Sequence, residues 1–457
     1  MSSFDVIDDA PTGRFHRKLL LACCGGPFLD GYIISLIGVA IVGFSQDIPT
    51  SPVEAGLIGA ASLIGIFFGA ILFGALTDRI GREKMYALDL TVLVAACALS
   101  AFVGEAWQLI ALRFIIGLAI GADYPIATSL LAEFTPRKKR GSMIGLSALG
   151  WALGAMTAFL LAFVVVHFSG GYHLWRWMLF SGAIVGIIIV IMRRGIPESP
   201  RWLLSRGRVA EAEQVVKLVY GENAQLPAHE PGAQTSAPLS ATLRMLLKGV
   251  YLKRIVMCGM IYLAQITPMY ALYTFGGLIL GAAGIEGENA ATLGEFFISA
   301  LFALGILPAL RWVETVGRRP MAVWPLAAMA VPLIALGVWN DAPVWFVIAA
   351  FAIYALSSGG PTVLQWLYPN ELFPTEVRAT AVGIAVGISR IGAATGTYLL
   401  PIGLATIGLG PTLLVGAAIT ILGLIVCAAW APETKGRSLA ETAAVPVVSR
   451  QFTSTRG

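Results

Sequence analysis

Twelve long apolar runs decide the fold class before any other feature is considered. A helix crosses about 30 Å of hydrocarbon with roughly 20 residues. Runs of that order lie at 19–44, 55–77, 85–104, 107–134, 142–168, 174–192, 253–281, 291–312, 321–339, 343–368, 379–405 and 409–430. They are continuous and Gly-rich, whereas barrel strands would alternate polar and apolar residues. Hydrophobic residues make up 57% and charged residues 12% of the 457, too few charges to coat a soluble protein of this size. An all-α polytopic membrane protein with a lipid bilayer around it is expected. Soluble enzymes, disordered chains and nucleic-acid-binding proteins are excluded.

Positive charge gives the orientation. The tails, the loops from even to odd spans and the 193–252 segment hold most of the 31 Lys and Arg. The opposite loops, at 45–54, 105–106, 169–173, 282–290, 340–342 and 406–408, hold none. Both termini are therefore expected in the cytoplasm, in a plasma or bacterial inner membrane. An 18-residue polar tail precedes an apolar run too long for a cleavable signal. Cys23, Cys24, Cys97, Cys258 and Cys427 all fall in apolar runs and read as core residues without a disulfide framework. The expected organisation is a six-helix half at 1–192, a cytoplasmic linker at 193–252, a second half at 253–430 and a cytoplasmic tail at 431–457. Within the linker, Arg208 to Val219 suits a short amphipathic helix, and 221–240 is rich in Ala, Pro, Gly and Ser.

The two halves repeat each other. Glu133-x-x-Pro136-x-x-x-Arg140 returns as Glu371-x-x-Pro374-x-x-x-Arg378. Asp78-x-x-Gly81-Arg82 returns as Glu314-x-x-Gly317-Arg318, and Pro197-Glu198 as Pro432-Glu433. Three motifs in one order at nearly constant spacing indicate a duplicated six-helix unit, and an even number of spans per unit makes the repeats parallel. The repeated acids and bases fall where spans meet the cytoplasm. There they can form ion pairs that hold the halves together on one side and break when the halves rock. Asp78, Arg79, Arg82, Glu133, Arg140, Glu198, Arg201, Glu314, Arg318, Arg319, Glu371, Arg378 and Glu433 are the gating candidates.

Gly74-x-x-x-Asp78-Arg79-x-Gly81-Arg82 resembles the loop 2–3 motif of the major facilitator superfamily. Glu314-x-x-Gly317-Arg318-Arg319, Pro197-Glu198-Ser199-Pro200-Arg201 and Pro432-Glu433-Thr434-Lys435-Gly436 resemble signatures of its sugar-porter branch, as does Arg113-x-x-x-Gly117-x-x-x-Gly121 leading to Glu133. The resemblance spans both halves. It implies twelve helices in two six-helix bundles and transport by alternating access.

Charges without a counterpart in the other half are the better candidates for chemistry. Asp30 corresponds to about Ile266, Arg113 to Phe351, Asp123 to Pro361 and Arg390 to Ala152. An ionised group inside a span costs several kcal/mol unless it is paired or hydrated. At 1.5 Å per residue, Asp30, Asp123 and Arg390 each lie about 16 Å from the cytoplasmic end of their spans. They are therefore expected to converge near the midplane, where transporters place their sites. Two carboxylates in one dry cavity repel, so one would keep its proton near neutral pH. Asp30 and Asp123 are the proton-coupling candidates, and no His occupies a span centre. Asp89, nearer a cytoplasmic end, reads as structural.

Arg390 is a natural partner for a substrate carboxylate, with neutralisation of Asp30 or Asp123 as its alternative. Ser389-Arg390-Ile391-Gly392 resembles the organic-ion branch, where a basic residue here goes with anionic substrates. Asp30 and Gly121-Ala122-Asp123-Tyr124-Pro125 resemble the phosphate:proton symporters. Those have an acid in span 7 that is absent here, which argues against inorganic phosphate. Gln265, Tyr270, Tyr273, Tyr354, Gln365 and Trp366, with Arg113 and Arg390, complete the substrate candidates. The expectation is a proton-coupled transporter of a small organic metabolite, an organic anion being favoured. A sugar or polyol symporter and an uncoupled facilitator or exchanger are the alternatives. The chain has neither a His-Glu-x-x-His motif nor a phosphate loop. No enzyme activity, cofactor or metal is expected, and the protein is expected to act as a monomer.

Overall fold

The computed structural model of the chain describes residues 5–169, 171–222, 224, 226, 239–282, 288–339 and 342–443. Among them every regular element is helical. The long helices of the first half are α1 (Arg14–Asp47), α2 (Pro52–Ile80), α3 (Arg82–Ser100), α4 (Ala106–Phe134), α5 (Arg140–Ser169) and α6 (Trp175–Arg193). Those of the second half are α7 (Gly249–Ala282), α8 (Glu288–Thr315), α9 (Arg318–Val338), α10, α11 (Arg378–Thr406) and α12 (Leu409–Trp430). Two segments make up α10, Val344–Ser357 and Gly359–Glu371, which meet at Ser358 ahead of Gly359-Gly360-Pro361.

Among the described residues, 11 helices are long and apolar enough to cross a membrane. The expected span that falls short is α3, which carries Arg82, Glu83, Lys84 and Asp89 in 19 residues. It is held by protein on both sides, packing against α4 and α6. Burial separates inner helices from outer ones. The apolar stretch of α11 is 78% buried and that of α12 only 28%, so α12 is an outer helix with Val415, Leu422 and Ile425 exposed. The halves meet along two helix pairs, α2 with α11 and α5 with α8. Contact is close because both faces are small: a Cβ on Gly74 would lie 2.6 Å from the Ala379 carbonyl, and one on Gly383 would overlap the Ala70 carbonyl.

The repeated Gly-Arg motif makes the sharp reversals between α2 and α3 and between α8 and α9. Gly81 and Gly317 adopt φ of 115° and 112°, a conformation open in practice only to glycine. The space beside each is filled by the acid of the matching Pro-Glu motif. Glu198 accepts from the Glu83 N–H at 3.2 Å, and Glu433 accepts from the Arg318 and Arg319 N–H groups at 3.0 and 3.2 Å. These carboxylates cap the first turns of α3 and α9 from a distant stretch of chain, where the helix N-terminus favours negative charge.

Burial raises the Glu198 carboxyl above its ordinary range, with Arg82 acting against the rise. At half-buried Glu433 burial also acts upward, but backbone donors from Arg318, Lys435 and Arg319 outweigh it and hold the acid below its ordinary range.

The short helix expected over Arg208–Val219 is present as Val209–Tyr220, preceded by Pro200–Ser205. Most of the 221–240 stretch and the tail beyond 443 lie outside the described residues. A depressed carboxyl contributes stability above its unfolded value and loses it as pH falls through the folded one. Glu433→Gln is therefore expected to lower the melting temperature at pH 7, with the gap to wild type narrowing below about pH 4. Thermal unfolding in detergent across that range checks it.

Candidate functional site

Two sites occupy the interface between the halves: a charged seal at its basic end and a cavity near the middle. The seal centres on Glu133, whose side chain is fully buried at the end of α4. Its Oε1 accepts from Arg82 Nη2 at 3.2 Å within its own half and from Arg378 Nη1 of the other half at 2.6 Å. Arg82 crosses as well, donating to the Thr375 carbonyl at 2.9 Å. Asp78 accepts from the N–H groups of Ala379 and Thr380 at 3.2 and 2.7 Å and from the Thr380 hydroxyl at 2.6 Å. It thereby caps the start of α11 from α2.

The second half answers in kind. Arg318 joins Glu314 at 3.1 Å and Glu371 at 3.0 Å, while Glu314 accepts from the Ser142 N–H of α5 at 3.0 Å. Ser129 and Asn370 add a cross-half contact one turn deeper. Some of the repeated acids and bases therefore meet across one end of the interface.

Several gating candidates stand differently from expectation. Arg79 and Arg319 are exposed and form no described ion pair; Arg319 reaches the Ala428 carbonyl. Arg140 does not repeat the crossing made by Arg378, and its partner is Asp8 at 2.7 Å. Arg201 shares that same Asp8 at 2.8 Å and also reaches the Glu133 carbonyl. Glu198 and Glu433 act as helix caps.

The cavity is narrow in this structure, about 40 Å³, room for a few water molecules. From the first half it is lined by Tyr124, Ala148, Trp151 and Ala152. The second half contributes Tyr262, Gln265, Ile266, Met269, Phe302, Ile306, Thr362, Gln365, Trp366 and Arg390. Arg390 and its counterpart Ala152 both line the cavity, as does Ile266, the counterpart of Asp30. Behind the lining, Asp30 is 3% exposed. Its Oδ2 accepts from the Tyr124 hydroxyl and from Trp151 Nε1, the latter at 3.1 Å. Arg390 Nη2 donates to the Tyr124 hydroxyl at 3.1 Å, and Tyr124 stacks on Trp366 at 4.7 Å. One phenol therefore links the α1 acid, the α11 base and the aromatic wall. Gln265 Oε1, Gln365 Oε1 and Trp366 Nε1 are buried without a described partner, which suits them to meet a polar solute.

Three expected residues are not at this cavity. Asp123 points instead to Arg193 of α6 at 2.6 Å, and Asp89 joins the same guanidinium at 3.7 Å, with Arg193 lying over the Tyr86 ring. Depth along the span does not by itself bring Asp123 into the cavity. Successive helical residues are about 100° apart, so Tyr124 faces the cavity and Asp123 faces the interior of its own half. The expectation that Asp30 and Asp123 share one cavity is corrected accordingly. Asp89, expected to be structural, completes this cluster.

Arg113 is 1% exposed and approaches the Ile33 carbonyl at 3.4 Å, away from the lining. Tyr354 donates to the Gln265 carbonyl at 3.1 Å and braces α7 from behind. The side chains of Tyr270 and Tyr273 lie outside the described residues. Sequence reasoning passed over Tyr124, Trp151, Tyr262 and Thr362, which are uncharged, and Arg193, which counted only as an orienting charge. For Trp151 a signal existed: it is one residue before Ala152, the counterpart of Arg390.

Residues 18–445 match the family model described as "Sugar (and other) transporter". The chain belongs to this family. The YaaU protein of Escherichia coli (strain K12), named for metabolite transport, is 42% identical over 95% of this chain and 96% of its own length. The inner membrane metabolite transport protein YgcS of the same strain is 32% identical over 95% of each. Among solved structures, the proton:xylose symporter XylE bound to 6-bromo-6-deoxy-D-glucose superposes with a TM-score of 0.80 at 19% identity, covering 94% of this chain and 98% of that one. The inward open conformation of XylE from E. coli gives 0.66, covering 93% and 99%. The protein is thus an integral membrane transporter of the major facilitator superfamily, in the sugar-porter line.

Breaking a buried ion pair by removing one partner costs about 3–5 kcal/mol, because the other charge stays buried. Glu133 holds two arginines. Glu133→Gln is expected to reduce unfolding stability by an amount of that order, whereas Glu211→Gln on the exposed Arg208 pair is expected to change it by less than about 1 kcal/mol. Denaturant unfolding in mixed micelles distinguishes the two.

Proposed function

We propose that this protein is a proton-coupled symporter of a small organic anion, with the charged seal on the cytoplasmic side and the central cavity as its binding site. The observation that carries the proposal is the Asp30–Tyr124–Arg390 link at the cavity wall. A substrate carboxylate reaching Arg390 competes with Tyr124 for the guanidinium and neutralises the charge that favours ionised Asp30. Asp30 then holds a proton more readily, so anion and proton bind cooperatively. Cooperative binding of the two, followed by rocking of the halves, is symport. Asp123 contributes to coupling from the Arg193 cluster, one residue from Tyr124 and outside the cavity.

The remaining lining fits a solute with hydroxyl or ring surface. Gln265, Gln365 and Trp366 offer hydrogen bonds, while Tyr124, Trp151 and Trp366 offer aromatic faces. Relatives of both kinds occur. A niacin transporter, NiaP of Acinetobacter baylyi, is 28% identical over 84% of this chain, and its namesake solute carries a carboxylate. A glucose transporter, GlcP of Staphylococcus epidermidis, is 29% identical over 92%. The second reading, a neutral sugar or polyol symporter, is favoured by the same Gln and Trp atoms and uses Arg390 only to hold Tyr124. The lysine- and arginine-rich loops support cytoplasmic termini.

A melting-temperature screen against carboxylates, sugar acids and neutral sugars separates the readings. Acids are expected to stabilise the wild type and to lose that effect in Arg390→Gln. Stabilisation by neutral sugars alone would overturn the anion assignment. With a stabilising solute in hand, proteoliposomes holding Asp30→Asn are expected to lose accumulation driven by a pH gradient while keeping exchange across the membrane. Undiminished accumulation would remove Asp30 from the coupling step.

A further inference from the structure

The segment before α1 was expected to be a polar tail, yet part of it is buried at the seal. Ile7 is fully buried and Asp8 is 2% exposed, in the short helix Asp5–Asp8. One oxygen of Asp8 accepts from both Arg140 Nη2 at 2.7 Å and Arg201 Nη2 at 2.8 Å. The Asp8 carbonyl accepts from the Arg137 N–H at 3.0 Å. Downstream, His16 is 2% exposed and bonds the Phe134 carbonyl at 3.2 Å, and Phe15 packs on the Phe134 ring. The chain thus meets the end of α4, the start of α5 and the linker helix that carries Arg201 at two points, around Asp8 and at Phe15 and His16, with residues 11–14 between them exposed.

The place is informative because of the charges around it. Arg140 and Arg201 stand beside Arg378, and each arginine acts electrostatically on the others. Burial pulls the Arg201 guanidinium below its ordinary range, and Asp8 is the largest influence acting against it. In the ion pairs of this cluster Asp78, Glu133 and Asp8 face Arg82, Arg140, Arg201 and Arg378. Removing Asp8 would leave several like charges packed together next to the pair that joins the halves. Like charges at close range in a dry interface repel strongly, and separation of the halves relieves the share of that repulsion that falls on Arg378. The second half offers no described equivalent of Asp8, since its counterpart arginine Arg378 is the one that crosses to Glu133.

We infer that the N-terminal segment is a third component of the seal, and that Asp8 is a positioning residue that keeps the interface shut by holding Arg140 and Arg201. This rests on the proposal that the seal closes the cytoplasmic side in alternating access. It adds that opening requires this segment to release its arginines or to move with them.

Opening of the seal can be read without knowing the substrate. Ser129→Cys places a thiol at the closed interface, beneath Glu133 and opposite Asn370. Its rate of reaction with N-ethylmaleimide in inside-out vesicles, relative to the same protein without that substitution, reports opening on the seal side. Adding Asp8→Asn is expected to raise the rate about tenfold, the change that follows from losing a hydrogen-bonded charge contact. Deleting residues 2–9 is expected to do the same, and Asp8→Glu is expected to restore a rate near wild type. Asp9→Asn, on the exposed Arg137 pair, is expected to have no effect. Glu133→Gln serves as the reference for the seal itself. If Glu133→Gln speeds labelling and neither Asp8→Asn nor the deletion does, the inference about the N-terminal segment is overturned and the seal stands. If Glu133→Gln also leaves labelling unchanged, the alternating-access reading of this face fails with it.

Discussion

A single carboxylate, that of Glu133, carries the constraint on which the rest of the structure depends. It sits in a dry interface and holds one arginine from each half, Arg82 and Arg378. A buried charge of this kind does little for net stability compared with well-packed apolar groups, but it is intolerant of misplacement. That intolerance suits a joint with two positions. When the halves are together at this end the charges are satisfied; when they part, water must take over every one of them. The glycine contacts between α2 and α11 serve the same end by letting the backbones approach closely enough for Asp78 to reach the first turn of α11. The seal therefore combines long-range attraction with contacts that exist only at full closure.

The seal and the cavity are connected through α4. This helix carries Glu133 in its last turn, and two to three turns earlier it presents Asp123 to its own half and Tyr124 to the cavity. A shift of α4 moves all three together. Ligand chemistry at Tyr124, a charge cluster at Arg193 and the closure at Arg378 thus act on one rigid element, which is the physical requirement for linking occupancy to access. Pro125, directly after this pair, removes one backbone donor from the helix at the same level.

Much of this was legible in the sequence because hydropathy and charge placement are one-dimensional signals. The apolar runs gave the helices, and only α3 fell short of a span by composition, since Arg82 belongs to the seal, Asp89 to the Arg193 cluster, and Glu83 and Lys84 are exposed in its first turn. The duplicated motifs pointed to one end of the interface, because counterpart motifs that lie near the pseudo-axis fall close together, as those carrying Glu133 and Arg378 do. Spacing could not give azimuth. Asp30 and Asp123 have equal depths yet face different partners, and Arg113 and Tyr354 brace the scaffold beside the cavity. Nor could counting charges find Tyr124, a neutral residue whose importance lies in what it joins. Asp8 was missed for a different reason: a short polar segment ahead of the first span has no periodic signal, and its burial depends on arginines more than a hundred residues away.

The central claim is that the Glu133–Arg378 pair holds the two halves together at the basic end. Spin labels on the exposed residues Lys139 and Glu376, one from each half, allow the distance across this end to be measured by pulsed dipolar spectroscopy. With the native pair intact, a short-distance population is expected to dominate. With Arg378→Gln, a population longer by about 5 Å or more is expected to grow at its expense, the scale of one-turn shifts between packed elements. An unchanged distance distribution in the folded variant would contradict the account.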